Sequence, residues 1–430
     1  MKRMIFFSII FTLLLAACAP AASDTTTTSP TEAGSSTVVT DGAFDLDDWE
    51  SVLAASEGQT VNWYIWGGSD SINAFVDNFY GNALQERYGI TLNRIPIADT
   101  VDAVNQVLSE KQAGIDPGVV DLIWINGENF NTLKQADLLY PNWAERLPNS
   151  LFVNWDNPAI NRDFGVPVDG MESPWSSAQL QLVYDSARTS EQELPRSYAE
   201  FLVWASEHPG RATYISPGPG GFVGTRFIKG ALFEISGGAE QWAAFDQDLW
   251  DRWSPELWRY LNELESYLWR SGETYPKDEA ELRGLFANNE IDFSLTQDIS
   301  GAGSAITQGL VPETTRTFVF DNYMIGDFNY LAIPVNAPNI AAALVLANLI
   351  LEPELQAAQI LPENGFGLGY AIDVNRVNDP DFQALLQEAA NKLGDSATPA
   401  SDLARALAGD SAPEYQTLIE QAWVENVLQK

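Results

Sequence analysis

Glycine and polar residues follow the ends of two predicted strands near the start of the chain. Ser69 follows two glycines after the apolar run 61–66, and Asn126 and Glu128 follow the apolar run 119–125. Ligands of open α/β sheets bind at the carboxyl ends of strands, where side-chain-free turns expose backbone N–H groups. We therefore predict ligand contacts here; a tight turn without a ligand, or a core position for the tryptophan, is the alternative. The candidates are Trp66, Gly67, Gly68, Ser69, Asn126 and Glu128.

A second glycine-rich turn, 217–221, is predicted to be a strand-to-helix turn between the run 211–216 and a helix that begins near Phe222. No Gly-Lys-Ser/Thr sequence follows, so the turn is not a Walker A motif and nucleotide binding is not predicted. A helix N-terminus beside an arginine suits an anionic ligand group, because both supply positive charge. A plain turn, with the arginine in a surface ion pair, is the alternative interpretation. The candidates here are Gly221, Thr225 and Arg226.

Four further residues are candidates because of the predicted elements around them. Trp175 lies in a predicted loop, where an indole can stack on a flat or cationic ligand. Gln297 and Asp298 follow the predicted strand 291–295, and Tyr323 lies near a predicted second passage between lobes. We expect these side chains to face a ligand.

The charge of the ligand stays open at this level. A cation with an aromatic part, or a polyol, suits Trp175, Glu128 and Asp298. An anion suits the glycine-rich turns and Arg226 instead. Iron is disfavoured, because no Tyr-Tyr motif occurs in the chain.

Catalytic and metal chemistry find little support in the residue types. One histidine and one cysteine exclude a Cys-rich zinc site and a disulfide framework. His208 precedes Pro-Gly and is predicted to end a helix, and the tryptophans and leucines of 250–264 have the spacing of a core helix face. Paired carboxylates are uninformative among 59 acidic residues. We predict no catalytic residue, no metal and no cofactor.

The elements that position these residues form an α/β pattern. Apolar runs beginning near residues 61, 90 and 119 alternate with helical patterns, a spacing typical of βαβ units and a parallel sheet. Ser69 or Asp70 is predicted to cap the first of these helices. A second lobe is predicted to begin after 164–167. Its predicted elements include strands at 180–184 and 291–295 and helices at 195–207 and from 222; further on follow a strand at 330–335, a core helix at 340–351 and helices from 380.

Composition excludes several classes of protein. The chain has 430 residues and a formal net charge of −36, which repels nucleic acid and anionic membranes. Its 14 Trp, 14 Tyr and 21 Phe are too many for a chain disordered throughout. The length suits two domains without disulfides.

The N-terminus has the pattern of an export signal. Lys2 and Arg3 precede an apolar stretch that is too short to span a bilayer, and Leu-Ala-Ala-Cys closes it at Cys18. This ending resembles the bacterial lipobox, which implies a signal peptide over 1–18 and lipidation of Cys18. Residues 19–45 are rich in Thr, Ser and Gly and are predicted to form a flexible tether.

Motifs along the rest of the chain resemble extracellular solute-binding proteins of ABC importers. They include the strand ending in Trp66-Gly67-Gly68, the segment 121–128, the helix start 194–201 and the segment 208–215. Together with 285–287 and the helix 343–351, their order resembles most closely the YnjB-like subgroup, related to thiamine, iron and polyamine binders.

The resemblance implies a two-lobed periplasmic-binding-protein fold of type II-like topology, with a sheet flanked by helices in each lobe and a hinge of two or three crossing segments. We expect lobe 1 at 46–167 plus about 322–361, and lobe 2 at 168–321 plus about 362–430. The implied protein is no enzyme. It is a monomeric, lipid-anchored receptor outside the membrane that passes a small molecule to an ABC permease with a separate ATPase. A lipid-anchored carbohydrate-active enzyme with paired carboxylates and a ligand-binding sensory module remain alternatives.

Overall fold

The structure is a computed structural model that describes residues 44–157, 159–218 and 220–429. The predicted signal peptide, the lipidation site Cys18 and nearly all of the predicted tether lie outside these residues. The described part belongs to one compact unit.

Eleven strands occur within the described residues, in three sheets. Their bounds are β1 (Thr60–Trp66), β2 (Thr91–Ile97), β3 (Leu122–Ile125), β4 (Arg162–Asp163), β5 (Val166–Pro167), β6 (Glu172–Gln179), β7 (Gln181–Asp185), β8 (Phe293–Thr296), β9 (Thr315–Phe318), β10 (Met324–Ala332) and β11 (Leu407–Ala408).

The first sheet confirms the predicted parallel α/β layer. β1 pairs in parallel with β2 and β3, and β10 joins β3 in the antiparallel direction. β6 pairs with β10, which also pairs at its start with β11. The predicted strand at 330–335 was placed too late, because β10 begins at Met324 and its first half is partly polar.

The second sheet is smaller and antiparallel, in the order β8-β7-β9. Its core is rich in aromatic rings contributed by the surrounding helices. The tryptophan and leucine stripe at 250–264 is buried or packed against this core, as predicted. β4 and β5 form a separate two-residue hairpin.

Fifteen α-helices surround the sheets in the described chain. Their bounds are α1 (Trp49–Ser56), α2 (Asp70–Phe75), α3 (Asn82–Tyr88), α4 (Thr100–Ala113), α5 (Gly127–Gln135), α6 (Tyr198–Glu207), α7 (Phe222–Ser236), α8 (Gln247–Glu265), α9 (Glu279–Ala287), α10 (Gly301–Thr307), α11 (Ile340–Ile350), α12 (Pro353–Ile360), α13 (Pro380–Leu393), α14 (Ala400–Ala406) and α15 (Pro413–Trp423). A π-helical segment, Val76–Gly81, joins α2 to α3, and another, Val424–Leu428, follows α15.

The predicted core helix near residue 340 is α11, which is buried along its whole length. Among the described helices, none is long and apolar enough by itself to cross a membrane. α11 and α12 meet that requirement only as a pair, and the chain bends by 62° between them.

Three segments of the described chain pass between the two large hydrophobic cores. β6 leads into β7 at Leu180, whose N–H donates to the carbonyl of Ile325 on the returning strand at 2.8 Å. The segment 319–323 leads from β9 back to β10, and a third follows α13 near Thr398, which hydrogen-bonds Thr317. The chain thus passes from the first sheet to the second at residue 180. We expect lobe 2 to begin earlier, at residue 168. α13 packs against α12, although we expect 362–430 in lobe 2.

Candidate ligand-binding site between the two lobes

The loop between β3 and α5 meets the β4–β5 hairpin at the edge of the first sheet. The backbone N–H of Gly127, at the first position of α5, donates to Oδ2 of Asp163 at 2.5 Å. Gly127 has φ of +56°, and a Cβ there would lie 2.7 Å from the Phe164 ring, so glycine is required by both conformation and space. The hairpin is therefore held closely against the carboxyl end of β3.

Phe164, in the same hairpin, contacts the second lobe. Its ring stacks on Phe222 at the start of α7, with centroids 6.3 Å apart. The Nζ of Lys229, two turns along the same helix, lies 5.0 Å from the centre of the Phe164 ring. The two lobes thus meet through one aromatic side chain from each, with a cation beside them.

Arg226 is buried within this interface, where each of its terminal nitrogens donates a hydrogen bond and Nε has no partner among the described residues. Only 2% of its side chain is exposed; it donates to Oε1 of Gln297 at 2.9 Å and to Oδ2 of Asp327. Its guanidinium lies 4.5 Å from the centre of the Phe222 ring. A buried arginine of this kind is neutralised by a carboxylate of the protein itself.

Lys229 is neutralised in the same way. Its side chain is wholly buried, and Nζ donates to Oδ1 of Asp410 at 2.7 Å and to Oε1 of Gln416 at 2.8 Å. Asp410, which follows β11, has 1% of its side chain exposed. Both cations of the first turns of α7 therefore already have anionic partners.

Carboxylates are in excess around these two cations. We define the carboxylate cluster as Asp163, Glu172, Asp327 and Asp410. Both oxygens of Glu172 and one oxygen of each aspartate are buried without a hydrogen-bond partner. Burial, and then the charge of Asp327, raises the pKa of Asp163 well above its ordinary value. Burial, and then the charge of Asp163, does the same to the pKa of Glu172.

The predicted residues at the end of β1 lie at this sheet edge, with mainly structural contacts. Ser69 caps α2 by accepting from the N–H of Ile72 at 3.3 Å, as predicted. A Cβ at Gly67 would lie 2.7 Å from Pro96, and a Cβ at Gly68 would lie 2.2 Å from the Trp66 indole. Close packing therefore explains both glycines without a ligand. Trp66 is not a core residue, since 40% of it is exposed.

Asn126 and Glu128 flank the Gly127 contact but differ in what they touch. The Asn126 side chain accepts from Nε1 of Trp124 at 3.2 Å and donates to the carbonyl of Phe328 at 2.7 Å, which ties β3 to β10. Glu128 is exposed and interacts electrostatically with Lys229 and Glu420 of the second lobe. Glu128 is the more accessible of the two for a ligand.

The glycine-rich turn before α7 is closely packed. A Cβ at Gly221 would lie 1.8 Å from the carbonyl oxygen of Ser216, which leaves room for glycine alone. Thr225 is buried and donates to Oε1 of Glu420 at 3.2 Å. The residues before the turn form no regular strand, so describing it as a strand-to-helix turn was wrong.

Trp175 lies in β6 and not in the predicted loop, which is a correction. It is fully buried and packs edge-on against Trp63 and Trp124, with ring centroids 5.1 and 4.9 Å away, and against Phe366. The segment was misassigned because its polar and proline residues hide a strand that is buried on both faces. The structure places this indole in the core of lobe 1.

Gln297 and Asp298, at the end of β8, face different surroundings. Gln297 accepts a hydrogen bond from Arg226, whereas Asp298 lines a cavity of about 60 Å³ together with Glu279 and Arg283. All residues around this cavity come from the second lobe. Removal from water raises the pKa of Asp298 to about 6, and burial and Asp298 raise that of Glu279 to about 8.

Tyr323 lies on the second connection between the sheets and is partly buried, with φ of +61°. Its backbone carbonyl approaches Gly230 of α7 so closely that a Cβ at that glycine would lie 2.7 Å away. It therefore packs against α7 at the hinge side of the site.

Sequence reasoning missed the residues that hold the interface together. Asp163 and Phe164 lie in a short hairpin without periodicity, and Asp327 lies in the polar half of β10. Lys229 had a usable signal, because a lysine in the apolar helix pattern three residues after Arg226 lies on the same helix face. Its partner Asp410 is distant in sequence and could not be paired with it by spacing.

Residues 80–384 match the family of bacterial extracellular solute-binding proteins. The chain is 37% identical over 322 residues to protein YnjB of Escherichia coli (strain K12), which covers 74% of this chain and 81% of the relative. The chain therefore belongs to the bacterial extracellular solute-binding proteins.

Solved structures share the fold at low sequence identity. An ABC transporter substrate-binding protein from Bradyrhizobium japonicum USDA 110 has a TM-score of 0.60 at 16% identity, covering 86% of this chain and 99% of that one. A putative spermidine/putrescine ABC transporter protein from Listeria monocytogenes has a TM-score of 0.59 at 15% identity, with the same coverage. These likenesses define a two-lobed periplasmic-binding-protein fold. The family and these neighbours are binding proteins of transporters.

Proposed function

We propose that this protein is a lipid-anchored receptor that captures one small solute between its lobes and delivers it to an ABC permease with a separate ATPase. The observation that carries the proposal is the buried, charged contact between α7 and the β4–β5 hairpin, which lies where the two lobes meet. Three crossing segments connect those lobes, the arrangement that permits hinge closure around a ligand.

Ligand-dependent stabilisation tests solute capture. A ligand that binds only the folded protein at a hundredfold excess over its Kd adds about 2.7 kcal/mol to the free energy of unfolding. We expect a thermal-shift screen of a broad metabolite library to find at least one solute that raises the melting temperature in proportion to the logarithm of its concentration. A complete absence of such solutes would overturn the proposal.

The lipid anchor is tested separately at Cys18. We expect the wild-type protein to fractionate with membranes and to carry acyl chains on its first mature residue, as read by mass spectrometry. Cys18→Ser removes the thiol that the lipid requires, so this variant should lose the acyl mass. A wild-type protein that is secreted without acyl mass would contradict the anchor and leave solute capture untouched.

A further inference from the structure

The charges of the interlobe site are unequal, and the imbalance bears on the solute that the proposed receptor takes. Arg226 and Lys229 are the two cations of this interface, and each already donates to a carboxylate of the protein, Asp327 or Asp410. An anionic solute would have to displace these carboxylates from buried cations. Such displacement leaves buried charge uncompensated, which is strongly unfavourable.

The carboxylate cluster has more unused hydrogen-bonding capacity than the cations, since five of its oxygens are unpaired, against the single Nε of Arg226. Glu172 is wholly buried and neither of its oxygens has a partner, and Asp163 uses one oxygen for the Gly127 N–H and leaves the other unpaired. Buried polar atoms in native proteins nearly always have a partner, so orphaned carboxylate oxygens indicate a missing donor. Ionised carboxylates accept only, and a cation with N–H groups is the group that satisfies them.

Two members of the cluster, Asp163 and Glu172, receive little positive charge from their surroundings. Lys134 is near Glu172, but its Nζ donates to Asp169 at 2.6 Å and to the carbonyl of Pro167. Asp163 is surrounded by the further carboxylates Asp327, Glu128 and Asp410. A further neighbour, the hydroxyl of Tyr330, donates to the carbonyl of Ile160 at 2.9 Å.

We infer that the solute is a cation with N–H donors, a protonated amine or amidine, whose charge is held by Asp163 and Glu172 of the carboxylate cluster. This inference rests on the proposed function and names the chemical class of its solute. It also predicts that protons are released when the solute binds. Without a cation the raised pKa values favour protonated carboxyls, so binding a cation releases protons and affinity rises with pH across those pKa values.

Matched probes test the charge class. Purified protein is titrated calorimetrically with hexane-1,6-diamine, hexane-1,6-diol and adipate, and with 2-phenylethylamine, 2-phenylethanol and 3-phenylpropanoate. It is also screened by thermal shift against cationic, neutral and anionic metabolite pools. We expect stabilisation by cationic solutes only, with a binding enthalpy that depends on the ionisation enthalpy of the buffer.

Variants test the residues that hold the charge. Asp163→Asn keeps an acceptor for Gly127, and Glu172→Gln keeps the shape; each should weaken binding of the cationic hit at least about tenfold, because a charge-assisted hydrogen bond is lost. Glu172→Gln should leave the melting temperature of the free protein unchanged or raised, which separates lost binding from lost folding. Asp102→Asn and Glu86→Gln, exposed acids on α4 and α3, are the matched controls and should bind as the wild type does.

The outcomes are distinguishable. Hits confined to neutral or anionic solutes would overturn the inference while leaving solute capture intact. Cationic hits whose affinity is unaffected by either variant would overturn the assignment of Asp163 and Glu172. An absence of hits in every pool overturns the proposed function and the inference with it.

Discussion

The two lobes bring unequal charge to their contact. The second lobe contributes the cations of α7, each of which is compensated by a carboxylate at close range. The first lobe contributes Asp163 and Glu172, whose unpaired oxygens receive no hydrogen bond from any described residue. The comparison teaches that a buried arginine need not mark an anion site, because a carboxylate of the protein itself can neutralise its charge. Orphaned carboxylates next to it are the more informative feature.

The largest loss of stability should come from a substitution in the core of lobe 1. This substitution serves as the reference, because it lies outside the candidate site. Trp175→Ala removes a fully buried indole and should lower the free energy of unfolding by about 3–5 kcal/mol. Trp66→Ala, at a tryptophan that is 40% exposed and packs edge-on against Trp124, should cost much less, about 1 kcal/mol. Urea denaturation measures both. Equal losses would contradict the assignment of Trp175 to the core and Trp66 to the surface.

Removing a buried cation that is paired with a carboxylate should lower the free energy of unfolding by a somewhat smaller amount. Lys229→Met leaves Asp410 buried without its cation, and we expect a loss of about 3 kcal/mol, because a buried charge is then left uncompensated. Lys392→Met, at the exposed pair with Glu363, is the control and should cost no more than about 1 kcal/mol. If Lys229→Met were as mild as the control, Lys229 would not be a buried partner of Asp410.

The buried carboxyl group of Glu172, whose oxygens are unpaired, should make the free energy of unfolding depend on pH. A carboxyl whose pKa is raised on folding binds a proton more tightly in the folded state, so the stability it gives is complete below its unfolded pKa and is lost as pH rises through the folded pKa. Above about pH 4.3 we therefore expect Glu172 to contribute a fall of up to about 1.4 kcal/mol per pH unit. Glu172→Gln should make the free energy of unfolding fall less steeply as pH rises above that value.

Denaturation of the wild type, Glu172→Gln and Glu86→Gln at several pH values measures this difference. Glu86 is exposed on α3, so its variant should follow the wild-type curve. Curves that coincide for all three proteins would show that Glu172 has an ordinary pKa in the folded state.

The smallest effect concerns the sheet edge itself. Ser69→Ala removes the side chain that caps α2 and should cost about 1 kcal/mol, the usual value for an N-cap. Ser69→Gly should cost only a few tenths of a kcal/mol. Thermal unfolding of both variants checks the order. If the two variants lost the same large amount, Ser69 would have a role beyond capping.

Much of the fold could be predicted, because local pattern and layer architecture agree in lobe 1. The strands at 60–66 and 91–97, the cap at Ser69 and the buried helix α11 follow from apolar periodicity and capping chemistry. β6 and residues 324–329 of β10 could not be predicted, because their polar residues are satisfied by partners distant in sequence, such as Asn329 with Ser176. The lobe boundaries stay a prediction.

The candidate site was predicted less well than the fold. Arg226, Gln297 and Glu128 lie at or beside the contact between the lobes, whereas Trp175 is in the core and Asp298 lines a separate cavity. Position after a strand fixes which end of a sheet a residue occupies. It does not fix which neighbour the side chain meets, and the ligand contacts themselves stay a prediction.

The sequence by itself determined the family, the alternation of strands and helices, and a surface whose net charge of −36 suits an exported protein. The tertiary structure alone decided which charges cancel. Arg226 meets Asp327, and Lys229 meets Asp410, only after three crossings of the chain bring β10, β11 and α7 together. The reason is that charge compensation acts over a few ångströms in space and leaves no spacing in the sequence by which it can be predicted.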